Sequence, residues 1–278
     1  MTPINDTRCT LGEGPLWHPE RAEFFWFDII GCKLHSLAKT WEFDEMVSAA
    51  GWIDRATMLI ASETRLFVFD LETGHQRDLS PLEADMPHTR SNDGRADPHG
   101  GFWIGTMGKR AEKGAGSIWR WYRGELRKLF DEISIPNAIS FAPDGRSACF
   151  TDTVTQQVMR VALDAQGWPA APAECWLDLR GTPYKPDGAV FDAGGNFWLA
   201  QWGAGRVAAY APNGDFLRAV SFPAAHTSCP AFGGPDLTDL YCTTAREGLA
   251  RPTPLDGATF CLRDAGKGLQ EACVRLPD

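Results

Sequence analysis

The stretch PNAISFAPDG at residues 136–145 opens a unit that recurs along the chain. PDGAVFDAGG at residues 186–195 and SNDGRADPHG at residues 91–100 share its ingredients: a polar residue with a side-chain oxygen, a short segment and a turn containing glycine. A run of apolar and aromatic residues follows each stretch, which indicates a β-strand. One such unit cannot bury its apolar face alone, so the pattern predicts that successive units pack against one another.

Apolar runs of this kind occur at residues 24–29, 66–69, 101–104, 148–151, 197–201 and 239–243. Their spacing of roughly 40 to 50 residues is that of a propeller blade with four strands. Glycine-containing turns separate the runs, and helical periodicity is nearly absent. The sequence therefore predicts an all-β fold, a six-bladed β-propeller that forms one domain over residues 1–278. We expect residues 7–11 to close the ring by lying beside residues 257–262.

Composition narrows the functions that such a chain can have. Its 278 residues carry a net charge of −9, which argues against nucleic-acid binding, where a basic stripe is expected. No run approaches the roughly 20 apolar residues of a membrane span, and the first residues, MTPIND, lack the features of a signal peptide. The eight cysteines form no C-x-x-C pair, so we expect reduced, mostly buried thiols. These features predict a cytoplasmic monomer that binds neither nucleic acid nor membrane.

Three oxygen-bearing residues stand at comparable places in different repeats. Glu13 lies between two glycines in LGEGPLW, and Asn137 and Asp187 each follow a proline, in IPN and KPDG. Taken singly, Asn137 and Asp187 are typical of turns, and Glu13 could be a solvated loop charge. In a closed ring, however, equivalent positions would face the central channel together. Two carboxylates and one amide oxygen suit a hard divalent cation, Ca²⁺, Mg²⁺ or Mn²⁺, and tolerate Zn²⁺ or Fe²⁺.

The combination of motifs resembles the SMP-30/gluconolactonase (regucalcin-like) family, in particular its bacterial sugar lactonases. The matching segments are LGEGPLW at 11–17, RSNDG at 90–94, GTM at 105–107, IPNAI at 135–139, PDG at 186–188, QWG at 201–203 and FGGPDL at 232–237. The resemblance implies a six-bladed propeller with one divalent cation in its channel. It also implies Glu13, Asn137 and Asp187 as metal ligands, Arg90 and Asn92 as sugar-binding residues, and Asp187 as the general base.

The chain departs from the family pattern after GTM. Some relatives place an acidic substrate-binding residue there, whereas this chain has GKR at residues 108–110, with Glu112 further on. The resemblance therefore does not imply which sugar is bound. We expect residues 107–116, which are polar and rich in glycine, to form a mobile loop near the site. Trp202, next to a glycine, is the tryptophan best suited to contact a sugar.

These features predict metal-dependent hydrolysis of a sugar-acid lactone to the open sugar acid. Three protein ligands would leave coordination positions free for water and substrate. The cation would polarise the lactone carbonyl, and Asp187 would take a proton from the attacking water. One alternative is a broader metal-dependent esterase or organophosphate hydrolase, for which Arg90 would matter little. Another is a non-catalytic calcium-binding or regulatory propeller, which would bind metal without turnover.

Overall fold

Each predicted repeat folds into one antiparallel sheet, because its strands are short and are separated by turns with glycine in the left-handed region. The computed structural model describes residues 1–277 and contains six such sheets, arranged as the blades of a six-bladed β-propeller. The fold class predicted from the sequence is confirmed.

The strands follow one another in chain order within each blade. Blade 1 contains β1 (Gly12–His18), β2 (Glu23–Asp28), β3 (Lys33–Ser36) and β4 (Thr40–Glu42). Blade 2 contains β5 (Val47–Trp52), β6 (Thr57–Ser62), β7 (Arg65–Asp70) and β8 (Gln76–Pro81). Blade 3 contains β9 (Thr89–Ala96), β10 (Phe102–Gly108), β11 (Gly116–Tyr122) and β12 (Glu125–Ile133).

The second half of the chain repeats the arrangement. Blade 4 contains β13 (Pro136–Phe141), β14 (Ser147–Asp152), β15 (Gln157–Ala162) and β16 (Glu174–Asp178), with a 3₁₀ turn, Thr153–Thr155, after β14. Blade 5 contains β17 (Lys185–Phe191), β18 (Phe197–Trp202), β19 (Arg206–Tyr210) and β20 (Phe216–Ser221). Blade 6 contains β21 (His226–Gly233), β22 (Asp239–Ala245) and β23 (Phe260–Leu262).

The first strands of the blades surround the central channel. Each of β1, β5, β9, β13, β17 and β21 packs against the first strand of the next blade, and β21 packs against β1. The N-terminal residues of β1, β9, β13 and β17 line a cavity at one end of the channel, and the C-terminal residues of β9, β13 and β17 line a smaller cavity at the other. The candidate ligands therefore come from different blades but reach the same end of the ring.

The N-terminal segment closes the ring at blade 6. Cys9 donates its backbone N–H to Gly257 O at 2.8 Å, within the segments that the sequence indicated. The pairing along β23, however, comes from residues nearer the N-terminus: Pro3 bridges Phe260, and Ile4 donates to Thr259 O at 2.9 Å. The terminal segment thus takes the place of a fourth strand in this three-stranded sheet.

Aromatic residues pack mainly between and within blades. Trp26, Trp103 and Trp121 are among the largest fully buried side chains. The eight cysteines are free thiols, four of them buried. Within residues 1–277 no helix is long and apolar enough to cross a membrane.

The C-terminal segment lies at the end of the channel opposite the candidate ligands. Glu271 forms an ion pair with Arg95, a residue of β9, and its carbonyl accepts from Trp52 Nε1 at 2.8 Å. Val274 is buried in the cluster of apolar side chains between blades 2 and 3. The segment therefore covers the end of the channel that the candidate site does not use.

Candidate metal centre and substrate cavity

A β-bulge re-aims each candidate ligand toward the channel. The register with the neighbouring strand shifts at Glu13–Leu16 in β1, Asn137–Ser140 in β13 and Pro186–Ala189 in β17. β5, β9 and β21 have the same kind of irregularity. A bulge bends the strand and redirects a side chain, and bulges are frequent next to active sites. The three candidate ligands lie inside the innermost strands, whereas the sequence had indicated positions just ahead of the strands.

The residue after each of two candidate ligands, Glu13 and Asn137, has a left-handed backbone. Gly14 has φ 53° and Ala138 has φ 57°. A side chain at Gly14 would overlap Ser48 O, so only glycine fits there. Ala138 holds the same conformation at a cost of roughly 1–2 kcal/mol, since its Cβ approaches the following carbonyl. Such strain is often found where a functional side chain must be held in one direction.

The five residues predicted for the site line one cavity of about 460 Å³. Glu13, Asn137 and Asp187 are buried, with 4%, 2% and 4% of their surface exposed. Arg90 and Asn92, both in β9, are buried beside them. The structure thus brings together side chains from four blades that are far apart in the sequence.

A hydrogen-bonded chain fixes the orientation of the polar side chains. Arg90 Nη1 donates to Asn92 Oδ1 at 2.8 Å, and Asn92 Nδ2 donates to Asn137 Oδ1 at 3.2 Å. Asn137 Nδ2 donates to Thr153 Oγ1 at 2.9 Å, and this hydroxyl donates to Pro186 O at 2.8 Å. Asn137 Oδ1 therefore faces away from Thr153 and keeps one lone pair for another partner.

The carboxylates of Glu13 and Asp187 are buried without an ion-pair partner. Burial raises the pKa of Asp187, and the nearby carboxylates of Glu13 and Asp93 raise it further. Burial also raises the pKa of Glu13, with the charge of Asp93 acting in the same direction. Neither Glu13 nor Asp187 forms an ion pair within residues 1–277. A buried carboxylate without a partner is costly, and a bound cation would offset that cost for Glu13 and Asp187.

The oxygen atoms of Glu13, Asn137 and Asp187 form a donor set that fits a divalent cation preferring hard oxygen ligands. Glu13 and Asp187 offer carboxylate oxygens, and Asn137 offers the amide oxygen described above. In the part of the chain that the structure describes, no group of three or more His, Cys, Asp or Glu side chains could hold a metal. This agrees with the composition of the set, which has only two acidic residues and depends on an asparagine for its third oxygen.

Asp93 and Arg90 are ionisable residues close to this donor set. Asp93 Oδ2 accepts the backbone N–H of Ile139 at 2.7 Å, which ties blade 3 to blade 4, and burial raises the pKa of Asp93 to about 6. Burial lowers the pKa of Arg90, while the carboxylates of Glu247 and Glu13 favour its charged form. The Arg90 guanidinium is thus a buried cation at the wall of the cavity, suited to bind oxygen atoms of a ligand.

Several cavity residues had no distinctive signal in the sequence. Thr153 orients Asn137 from a different part of blade 4, and Lys185 and Glu247 stand at the rim. Each is a common surface residue in a turn or at a strand end, and only the closed ring shows that it faces the cavity. Met107, Lys109, Arg110 and Ala111 also line the cavity, so the segment 107–116 does lie near the site.

Two histidines, His18 and His88, are close in sequence to candidate motifs but lie outside the cavity. His18 is buried between blades, where its ring contacts Phe25 and Trp52 and its Nε2 bonds to Asp54 O at 3.1 Å. His88 is exposed and does not line the cavity. Among the residues that the structure describes, 1–277, no histidine lines the cavity.

Comparison with known proteins places these residues in a family context. A family model described as the SMP-30/Gluconolactonase/LRE-like region matches residues 11–246. A pentonolactonase from Haloferax volcanii is 34% identical, over 88% of this chain and 85% of its own. An L-arabinolactonase from Azospirillum brasilense is 32% identical, over 98% of this chain and 94% of its own.

The structure also has a close counterpart among solved proteins. The crystal structure of a calcium-binding protein, regucalcin, from Agrobacterium tumefaciens superposes with a TM-score of 0.96. It is 41% identical in sequence, and the superposition covers 99% of this chain and 97% of that one. The same architecture therefore supports proteins named for metal binding and proteins named for lactone hydrolysis.

Proposed function

Because the chain belongs to the SMP-30/gluconolactonase/LRE-like family, we propose that it hydrolyses the cyclic ester of a sugar acid, an aldonolactone, to the open acid. The observation that supports this most is the convergence of two buried, unpaired carboxylates and one oriented amide on a single cavity, beside Arg90 and Asn92. Relatives of similar length named as lactonases support the reaction class.

Glu13, Asn137 and Asp187 would hold one divalent cation. When bound, such a cation supplies Lewis-acid polarisation of an ester carbonyl and acidifies water. Oxygen ligands discriminate weakly among Ca²⁺, Mg²⁺, Mn²⁺, Zn²⁺ and Fe²⁺, so availability in the cell decides the occupant. The positive charge would also remove the electrostatic cost of burying Glu13 and Asp187 together.

The protein's own groups would perform binding and proton transfer. Asp187 would accept a proton from the attacking water with one carboxylate oxygen and return it to the ring oxygen that leaves. Arg90 and Asn92 would hold the lactone by its hydroxyls, and the hydrogen bond between them keeps both side chains in place before substrate arrives. Asp187, Arg90 and Asn92 are themselves buried, and hydrogen bonds in such surroundings are stronger than in bulk water.

A panel of aldonolactones tests the proposal. Acid release is followed for gluconolactone, xylonolactone, arabinonolactone and galactonolactone, with the spontaneous rate of hydrolysis subtracted. We expect at least one lactone to be hydrolysed faster than a simple aryl ester or a phosphotriester. Equal rates for all three substrate types would favour a broader esterase or organophosphate hydrolase. Cation binding without turnover of any substrate would favour the calcium-binding alternative.

A further inference from the structure

Among residues 1–277, Trp202 is the only aromatic residue that lines the cavity, although the chain contains eleven tryptophans. It lies at the end of β18 and is half-buried. His226 covers one face of its indole, with ring centroids 4.1 Å apart and an angle of 22° between the planes. The indole also packs against the apolar cluster of Leu11 and Ile29. Trp202 is therefore a braced aromatic surface that faces the cavity with its remaining face or edge.

Glu247 stands beside this aromatic surface. The Glu247 carbonyl accepts a hydrogen bond from His226 Nδ1 at 2.9 Å, so the histidine that braces Trp202 also anchors the main chain of Glu247. The Glu247 side chain lines the cavity and is exposed. Within residues 1–277 the Glu247 carboxylate has neither an ion pair nor a hydrogen bond, and it is free to accept hydrogen bonds from hydroxyl groups.

Lys185 flanks Trp202 on the other strand of the pair. The two residues are directly opposite in the register of β17 and β18, so their side chains project from the same face. Lys185 also lines the cavity, and its ammonium has no ion pair in the described part of the chain. The rim thus presents a hydrogen-bond donor and an acceptor around one aromatic surface.

We propose that Lys185, Trp202 and Glu247 form a carbohydrate subsite that binds the part of the lactone that does not react. A sugar has an apolar C–H surface and a border of hydroxyls, and the subsite has an aromatic surface bordered by polar groups. Lys185 would donate to one hydroxyl and Glu247 would accept from another. The inference rests on the proposed function and adds the residues that would select lactones with several hydroxyls over lactones without them.

The test compares Trp202→Leu with Trp176→Leu. Trp176 is also half-buried and is stacked against a neighbouring side chain, Arg160, but it lies outside the cavity. For an aldonolactone we expect Trp202→Leu to raise KM about tenfold with kcat within about twofold. This is the pattern expected when a contact is lost that stabilises the ground state and the transition state equally. For δ-valerolactone, which has no hydroxyl, kcat/KM should change less than about twofold. Trp176→Leu should leave both substrates unaffected.

Two conservative variants test the polar border. Glu247→Gln and Lys185→Met should each raise KM for the aldonolactone about three- to tenfold, again without effect on δ-valerolactone. Circular dichroism and thermal unfolding confirm that each variant is folded. An equal loss on both lactones would show that Trp202 only supports the structure, and that result would overturn the subsite.

A binding measurement separates this inference from the proposed function. An aldonolactam, in which an amide replaces the ester, is titrated into the wild-type protein and Trp202→Leu by calorimetry. Lactam binding that is about tenfold weaker in Trp202→Leu supports the subsite even in a protein that hydrolyses no lactone. Lactam binding that is equal in the two proteins, or absent from both, would overturn it.

Discussion

Glu13 and Asp187 are buried in one cavity, where desolvation raises the pKa of both carboxyls. The charge of Asp93 raises both pKa values further, and the charge of Glu13 also raises that of Asp187. The sequence could single them out because glycine and proline beside an acidic residue indicate a constrained backbone and not a solvated surface. It could not identify Thr153 or Glu247, since nothing in their neighbours distinguishes them from ordinary turn residues. Their contribution depends on contacts between segments that are distant in the chain.

Asp187→Asn should reduce kcat for lactone hydrolysis by a factor of about 10²–10⁴, because an amide cannot accept the proton of the attacking water. Steady-state acid release with each divalent cation measures the loss. Asp192→Asn, in the same blade, is the matched control: Asp192 accepts from Gly194, Asn196 and Trp198 and has no place in the cavity. Asp192→Asn should lower stability and preserve kcat. If Asp187→Asn preserved kcat and Asp192→Asn reduced it, Asp187 would have no role in the mechanism.

Arg90→Lys should lower kcat/KM for an aldonolactone about tenfold or more, because the ammonium keeps the charge but loses the fixed fork of donors. The rate with a simple aryl ester should change little, since that substrate has no ring hydroxyls to hold. The measurement compares kcat/KM of the wild type and Arg90→Lys with each of the two substrates. If both rates fall equally, Arg90 supports the site in general and does not select sugars.

At the scale of elements, the strands and hairpin turns were predictable and the bulges were not. Short apolar runs and glycine-containing turns locate strands such as β14 and β18 well. A bulge inserts an extra residue into a strand that otherwise follows the same pattern, so the sequence gives it no separate signal. This is why Glu13, Asn137 and Asp187 lie within strands rather than ahead of them.

Gly14→Ala should weaken cation binding and destabilise the protein, because the new Cβ would overlap Ser48 O and push the bulge that aims Glu13. Gly74→Ala is the control, since Gly74 also has a positive φ, 75°, but has open space around it. The control should cost only the backbone strain of roughly 1–2 kcal/mol. Calorimetric titration with Ca²⁺ and chemical unfolding measure both effects, and equal cation affinity in the two variants would contradict this account of the bulge.

At the scale of the whole molecule, the candidate ligands come from blades 1, 4 and 5 and meet because the ring closes. The number of repeats and the involvement of the N-terminal segment in closure could be predicted from the sequence. The pairing of Pro3 and Ile4 with blade 6 could not, because two residues with no strand pattern form it. The ring converts distant positions into neighbours, and a cation bound there would link blades across it.

Removal of the cation should therefore lower the stability of the entire propeller. A ligand that binds only the folded state stabilises it by about 2.7 kcal/mol at a free concentration one hundred times Kd. Thermal unfolding with chelator and with added cation should show this difference in the wild-type protein. Glu13→Gln should unfold at nearly the same temperature in both conditions, and a cation effect of undiminished size in this variant would place the binding site elsewhere.

The most direct test of a metal-dependent lactonase is acid release from an aldonolactone by metal-stripped protein before and after each divalent cation is restored. We expect a rate near the spontaneous one in the stripped protein, recovery with at least one cation, and no recovery in Asp187→Asn. Turnover by the stripped protein at the full rate would contradict the metal dependence. No turnover with any cation, in protein that binds one, would contradict the lactonase itself.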